Sequence, residues 1–290
     1  MDNKKRRARS IARLKETWRR FKKNKLAVFA LCLLIGIICV ALFRHAIVPY
    51  ELAIKTHASE RLKPPSAEHW FGTDGRGRDV FARVIHGTPT SIFIGLSVSV
   101  SCMVIGGLIG ISAGFFGGRY DLIIMRLTEM LAVMPATLLA IVVVSVLGSN
   151  LVNMIIALTI SNIPGIARMS RSAALTISNQ EYVEAARGGG ASSLRNILTH
   201  AVPNASSLLI IQFTQNTAAI ILSAVALSFL GLGVQPPAPE WGAMVNDARE
   251  FFRTQPYLMM FPGLAIMLTA LSINLVGNGL RDALDPKMKT

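Results

Sequence analysis

Charged side chains are scarce in this sequence, 16% of 290 residues, and none sits near the centre of any long apolar run. Between Lys63 and Lys287 there is no lysine, and no Gly-Lys pair occurs anywhere. A phosphate-cradling G-x-x-x-x-G-K-[ST] loop therefore cannot be written, and any nucleotide hydrolysis belongs to another polypeptide. H-E-x-x-H is absent too. The five histidines, His45, His57, His69, His86 and His200, are scattered without metal-ligand spacing, and the acidic residues are not grouped as catalytic pairs. No catalytic residue and no metal site is expected. The three cysteines, Cys32, Cys39 and Cys102, all fall within apolar runs, where they read as small packing residues and say nothing of redox compartment.

What is abundant is apolar side chain, 52% of the residues, gathered into runs instead of spread at a helical or strand period. A helix crossing the hydrocarbon core needs roughly 20 apolar residues, because every backbone polar group must be satisfied within it. Six runs qualify: about Leu26 to Phe43, Ser91 to Phe116, Leu122 to Leu147, Leu151 to Ala167, Ala205 to Leu232 and Pro256 to Gly277. The fold class expected is an all-α membrane protein of six transmembrane helices. The first run is longer than a signal-peptide core and no clear A-x-A site precedes Pro49, so it reads as a retained anchor.

The net charge of +14 sits mostly in one tail, where residues 1–25 hold twelve Lys or Arg against Asp2 and Glu16. Placed directly before the first span, that excess is the positive-inside signal, and six spans return the C-terminus to the same, cytoplasmic, side. The loop after the fourth span agrees, with Arg168, Arg171, Arg187 and Arg195 outweighing Glu181 and Glu184. Residues 44–88 are mixed in charge and are assigned outside, since long loops translocate largely regardless of charge. Within the tail, Ile11, Leu14, Trp18 and Phe21 recur at helical spacing, which predicts an amphipathic helix on membrane lipid. No aromatic platform or reading motif accompanies the charge, so nucleic acid is not an expected partner. The chain divides into a basic segment, 1–25, and a six-helix domain, 26–290.

Several spans carry further pattern. Cys102, Gly106, Gly110, Gly114 and Gly118 recur every fourth residue in the second span and form one smooth face for close helix packing. Gly117-Gly118-Arg119-Tyr120-Asp121 predicts a tight turn, Pro135 and Pro164 predict kinks, and Arg126 with Glu129 has the spacing of an ion pair. In the fifth span Gln212, Asn216 and Ser223 share a face, with Gln215 and Thr217 beside it. Such an uncharged stripe either lines a path for a polar solute or hydrogen-bonds to other helices.

Between the fourth and fifth spans lies a polar segment. Ser178 and Glu181 have capping-box spacing, predicting a helix from Asn179 through Tyr182, Ala185 and Ala186 to the break at Gly188-Gly189-Gly190. Ser192 or Ser193 can cap a second helix with Leu194, Ile197, Leu198 and Ala201 as its apolar stripe, ended by Pro203. The small Ala185 and Ala186 leave a low surface, and Glu184 offers one charge to a basic partner.

Glu184-Ala185-Ala186, Gly190, His200 and Pro203 stand at the positions of a signature, E-A-A, three residues, G, then nine residues before a short segment ending in Pro. Here the sequence resembles the inner-membrane permease subunits of binding-protein-dependent ABC importers, in the dipeptide, oligopeptide and nickel branch. Phe71-Gly72-Thr73-Asp74, Gly77-Arg78-Asp79, Gly114-Phe115-Phe116-Gly117-Gly118, Glu181-Tyr182-Val183, Leu227-Ser228-Phe229-Leu230-Gly231-Leu232-Gly233 and Arg281-Asp282-Ala283-Leu284-Asp285-Pro286 carry the resemblance over essentially everything after residue 26. One departure is Gly188-Gly189, where relatives more often have Ala-Leu, which would loosen the turn.

The resemblance implies a type I ABC importer fold in the bacterial inner membrane, with Glu181, Glu184, Ala185, Ala186, Gly190, His200 and Pro203 coupling the spans to an ATPase. It implies a second homologous permease subunit, two ATPase subunits that bind ATP and Mg, and an extracytoplasmic solute-binding protein. Short peptides are the implied cargo, with nickel chelates and glutathione-like molecules the nearest alternatives. The long 44–88 loop, with Trp70, Phe71, Asp74, Arg78 and Asp79, reads either as a docking surface for the binding protein or, at Gly75-Arg76-Gly77-Arg78-Asp79, as a capped turn leading into a helix lying along the membrane surface. From another class, an ion-coupled secondary transporter needs intramembrane charges and an inverted repeat, neither of which is evident. A membrane-embedded scaffold predicts no solute flux.

Overall fold

The computed structural model describes residues 15–284, and among them the chain is helical, with one isolated antiparallel bridge between Thr73 and Asp79. The described part of α1 is residues 15–21. It is followed by α2 (Lys25–Ile47), α3 (Tyr50–Ile54), α4 (Val80–Phe116), α5 (Gly118–Leu131), α6 (Ala136–Leu147) and α7 (Leu151–Ser178). Then come α8 (Glu181–Gly188), α9 (Ser193–Asn196), α10 (Val202–Phe229), α11 (Trp241–Ala248) and α12 (Tyr257–Leu284). Ile11, Leu14 and Asp285-Pro286 lie outside the described residues.

Five helices, α2, α4, α7, most of α10, and α12, are long and apolar enough to span a membrane by themselves. The third run is not one straight helix. It is broken between Leu131 and Ala136, and α5 and α6 meet at 79°. Pro135 supplies the break, since it has no N–H for the ladder and holds its own φ at −52°. Neither half alone covers the ~30 Å core, at about 1.5 Å per residue. The pair nonetheless makes one crossing, because α4 ends beside α8 and α7 starts at the opposite end of the bundle. The bundle therefore has six crossings, one of them bent.

Hydropathy located the crossings better than the helix ends. α4 starts at Val80, eleven residues before its apolar run, and α7 continues past Ala167 to Ser178. Polar side chains do not interrupt a helix; they only take it out of lipid. α4 is the central strut, and its small-residue face lies along α7. Cys102 Sγ approaches the Thr159 carbonyl at 3.6 Å, and a Cβ on Gly106 or Gly114 would come to 3.2 or 2.5 Å from the carbonyls of Ile163 and Arg171. A Cβ on Gly110 would collide with the Ala167 carbonyl. Carbonyls four residues apart thus receive small residues four apart, as close backbone approach in lipid requires. Gly118 leaves this face: it follows the break at Gly117, has φ +57°, and meets no described atom within 4 Å.

The two described ends of the chain lie together, with Asn24 capping α2 and contacting Asp282 at 3.4 Å near the end of α12. Phe21 is buried against Ala27 and Ala283 instead of facing outward, so only Trp18 of the described apolar pair is exposed. The described part of α1 is therefore anchored on protein, through Phe21.

Candidate functional site

Two polar regions stand at opposite ends of the bundle. At the end shared by the described termini, Val183 of α8 is fully buried in a cluster with Ile111 and Phe115 of α4, Ala174 of α7, Ile197 and Ala201 of the turn before α10, and Ala205 of α10. Burying a side chain of that size is worth about 1.5–3 kcal/mol. The Arg187 guanidinium lies 4.9 Å over the Phe115 ring, and Asn204 Nδ2 donates to the Tyr182 hydroxyl at 3.3 Å. The Tyr182 and His200 rings are 5.5 Å apart. Glu181, Glu184 and Ala185 project outward, and Ala186 is half-buried. The element thus has one face tied to three spans and one face free of the chain.

The turn after α8 depends on Gly190. Its φ is +82° with no described atom within 4 Å of a would-be Cβ, so backbone conformation, not crowding, requires glycine. Gly190 N–H donates to Arg187 and Ala191 N–H to Ala186, both at 3.0 Å, the paired bonds of a Schellman cap. The extra glycines at 188 and 189 leave this cap intact. The expected capping box does not form. Ser178 is the last residue of α7, its Oγ donates to Leu175 at 3.1 Å, and α8 starts behind Gln180 with no side-chain cap. A residue already in helical conformation cannot act as an N-cap. Ser192 does cap the second helix, accepting from Arg195 N–H at 3.3 Å.

Pro203 does not terminate that helix as expected. It sits in the first turn of α10, where a missing N–H is tolerated, and the chain reaches it through a wide turn at Ile197–Ala201 closed by Val202 N–H to Ile197. The His200 carbonyl accepts from Asn204 Nδ2 at 2.8 Å. The predicted apolar stripe is divided: Ile197 and Ala201 are buried, whereas Leu194 and Leu198 are 65% and 60% exposed beside α8. Nearby, Arg171 grips Asp121 through two bonds of 2.5 Å and ties α5 to α7, while Arg126 meets Glu129 at 3.3 Å.

The fifth-span stripe is split among several roles. Gln215 Nε2 reaches Asn278 Oδ1 of α12 at 3.4 Å, and Thr217 is buried with its hydroxyl bonded back to Phe213 at 2.6 Å. Gln212 and Asn216 are half-buried. Ser223 lines a cleft with Thr137, Ser161 and Asn162 over a floor of Leu158 and Leu227. Thr137, Ser161 and Asn162 were missed in the sequence because they lie in two other runs and share no period with the fifth-span stripe.

At the other end, residues 48–79 and 230–256 form a cap over α4. Here Asp74, Arg78 and Asp79 are buried, which corrects their placement on an outer surface. Arg78 Nε bonds Asp74 at 2.7 Å and its Nη2 bonds Asp247 at 3.0 Å, while Arg83 lies 3.6 and 3.7 Å from the same two carboxylates. Asp79 caps α4 through Ala82 N–H at 2.8 Å. Phe71 stacks on Phe261 at 3.8 Å, leaving only Trp70 of the five exposed. Buried Glu240 caps α11 and accepts from Ser91, and Trp241 Nε1 donates to Val84 at 3.0 Å. The expected capped turn is present, but the helix it starts is α4 itself, continuous with the second span from Val80 to Phe116, not a separate surface helix. The loop's ion pairs also bridge to Asp247, a partner no local spacing could reveal.

Residues 106–290 match the family described as the binding-protein-dependent transport system inner membrane component. Residues 13–65 match the N-terminal TM domain of oligopeptide transport permease C. A dipeptide transport system permease protein of Alkalihalophilus pseudofirmus is 40% identical over 97% of this chain and 92% of its own. Glutathione transport system permease proteins of Escherichia coli and Shigella boydii are each 44% identical over 94% of this chain and 90% of their own.

Proposed function

Because the chain belongs to the family of binding-protein-dependent transport system inner membrane components, as a permease of the peptide ABC importer group, we propose that it is the passive, motor-driven half of an ATP-powered importer. α8 is the docking element for a separate ATPase subunit. The observation that carries this is its two-sidedness: Val183 fixes it to three spans while Glu184 and Ala185 face away. The exposed Leu194 and Leu198 beside it give the partner apolar surface to cover. A docked element with two arrangements, biased by nucleotide on the partner, moves the spans as a rigid-body lever.

The basic tail places the α8 end and both termini in the cytoplasm. The cap then faces outward, and exposed Trp70 is its contact for the solute-binding protein. Two ATPase subunits and a second homologous permease complete the assembly, and the cleft at Ser223 with Gln212 and Asn216 contributes to the path. Short peptides are the cargo, with glutathione-sized peptides included on the strength of the named relatives.

The test is ATP-driven uptake of a dipeptide and of glutathione by the assembled transporter in proteoliposomes. Gly190→Pro, which cannot hold positive φ, and Glu184→Lys should insert normally yet lose uptake tenfold or more while ATPase activity escapes control by the loaded binding protein. Undiminished uptake by both variants would falsify the coupling assignment.

A further inference from the structure

Sequence spacing shows no metal motif, yet the fold gathers Glu60, Glu68 and His69 so that one ligand atom from each lies within 4.8 Å of the others. The residues are eight and nine apart, and the turn between them brings them together. Two exposed or half-exposed carboxylates would mean little by themselves. The second observation is His69, which is 8% exposed, with Nε2 enclosed and without a hydrogen-bond partner among the described residues. That nitrogen points at Glu60 Oε2, 3.4 Å away.

The other ring nitrogen fixes the chemistry. His69 Nδ1 lies 2.8 Å from Asp79 Oδ2, and Asp79 Oδ1 is engaged by Ala82 N–H, so Asp79 is held as an acceptor and Nδ1 carries the proton. In the neutral ring Nε2 then presents its lone pair toward a carboxylate. That arrangement is repulsive unless a cation or a proton lies between them. A carboxylate bonded to the far nitrogen is also the usual outer partner of a metal-ligating histidine. The backbone of His69 is braced as well, its N–H donating to Ser66 Oγ at 3.1 Å and its carbonyl accepting from Ser66 and Gly72.

Glu60 is prepared for the same role. Its Oε1 binds Lys63 Nζ at 3.1 Å, leaving Oε2 for another ligand. Tetrahedral zinc with bonds of about 2.0–2.1 Å has ligand atoms about 3.3 Å apart. The 3.4 Å between Nε2 and Oε2 is one such edge.

We propose that Glu60, Glu68 and His69 form a binding site for one divalent transition cation of the zinc class, with Asp79 orienting the histidine and a water as fourth ligand. The ion would cross-link the 58–69 turn, and the His69–Asp79 bond would carry that link to the N-cap of α4. Magnesium and calcium take oxygen ligands, so the imidazole nitrogen favours a zinc-class ion over both.

The experiment is titration of the chelator-treated, detergent-purified full chain with Zn2+, followed by isothermal calorimetry and bound-metal analysis. The expected result is one ion per chain, with an X-ray absorption edge showing nitrogen and oxygen neighbours near 2.0 Å and no sulfur. His69→Ala should abolish the site. Glu68→Gln, at an exposed position that leaves the fold alone, should weaken binding ~10-fold or more. No stoichiometric binding by the wild-type chain overturns the proposal. So does binding that survives both variants, or a sulfur shell.

Discussion

At the residue scale, glycines separate into those fixed by a neighbour's carbonyl and those that are free. Gly110 is in the first group, because a methyl there meets the Ala167 carbonyl of α7, a backbone atom that cannot rotate away. Gly36 of α2 is in the second, with no described atom within 4 Å. Gly110→Ala should therefore cost about 1–3 kcal/mol and lower the unfolding temperature in detergent. Gly36→Ala should be neutral or slightly stabilising, since alanine holds a helix better than glycine by roughly 1 kcal/mol. Equal melting curves for the two variants would refute the close-packing account of α4 and α7. The four-residue period of small residues was legible in the sequence. Its partner helix was not, because a period marks a face without saying what lies against it.

At the element scale the cap depends on a group of buried charges. Arg78 of the loop and Arg83 of α4 are shared between Asp74 on the loop and Asp247 on α11, so two distant segments close over α4 together. Removing one member leaves buried charge unpaired, a loss of about 3–5 kcal/mol. Arg78→Ala should accordingly expose the 55–79 loop to protease while the spans stay assembled, and Arg78→Lys should rescue poorly, since lysine lacks the fork that reaches both carboxylates. Limited proteolysis followed by mass analysis reads both outcomes. Of this element the sequence disclosed the turn at Gly75 to Asp79 and its helix cap. Asp247 was hidden, because complementary charges 169 residues apart leave no local pattern. Glu60 and His69, only nine apart, went unnoticed as neighbours because an irregular turn has no period to read. The third span was partly legible: Pro135 predicted a kink, and the structure enlarges it to a 79° break between two helices.

At the scale of the whole molecule, six crossings, the paired ends and the α8 turn were readable from hydropathy, charge and glycine placement, since lipid imposes those patterns on any spanning chain. The order in which helices touch was not. α2 packs its N-terminal half, at Ala27 and Leu31, against Gly279, Ala283 and Val276 of α12, so the first and last long helices described are neighbours. During synthesis α2 leaves the ribosome more than 200 residues before that partner exists, and its polypeptide must wait in the bilayer half-dressed. A chain stopped before Tyr257 should never mature: pulse-chase labelling is expected to find it inserted, then cleared by quality-control proteases, while supplying α12 as a separate peptide prolongs its life.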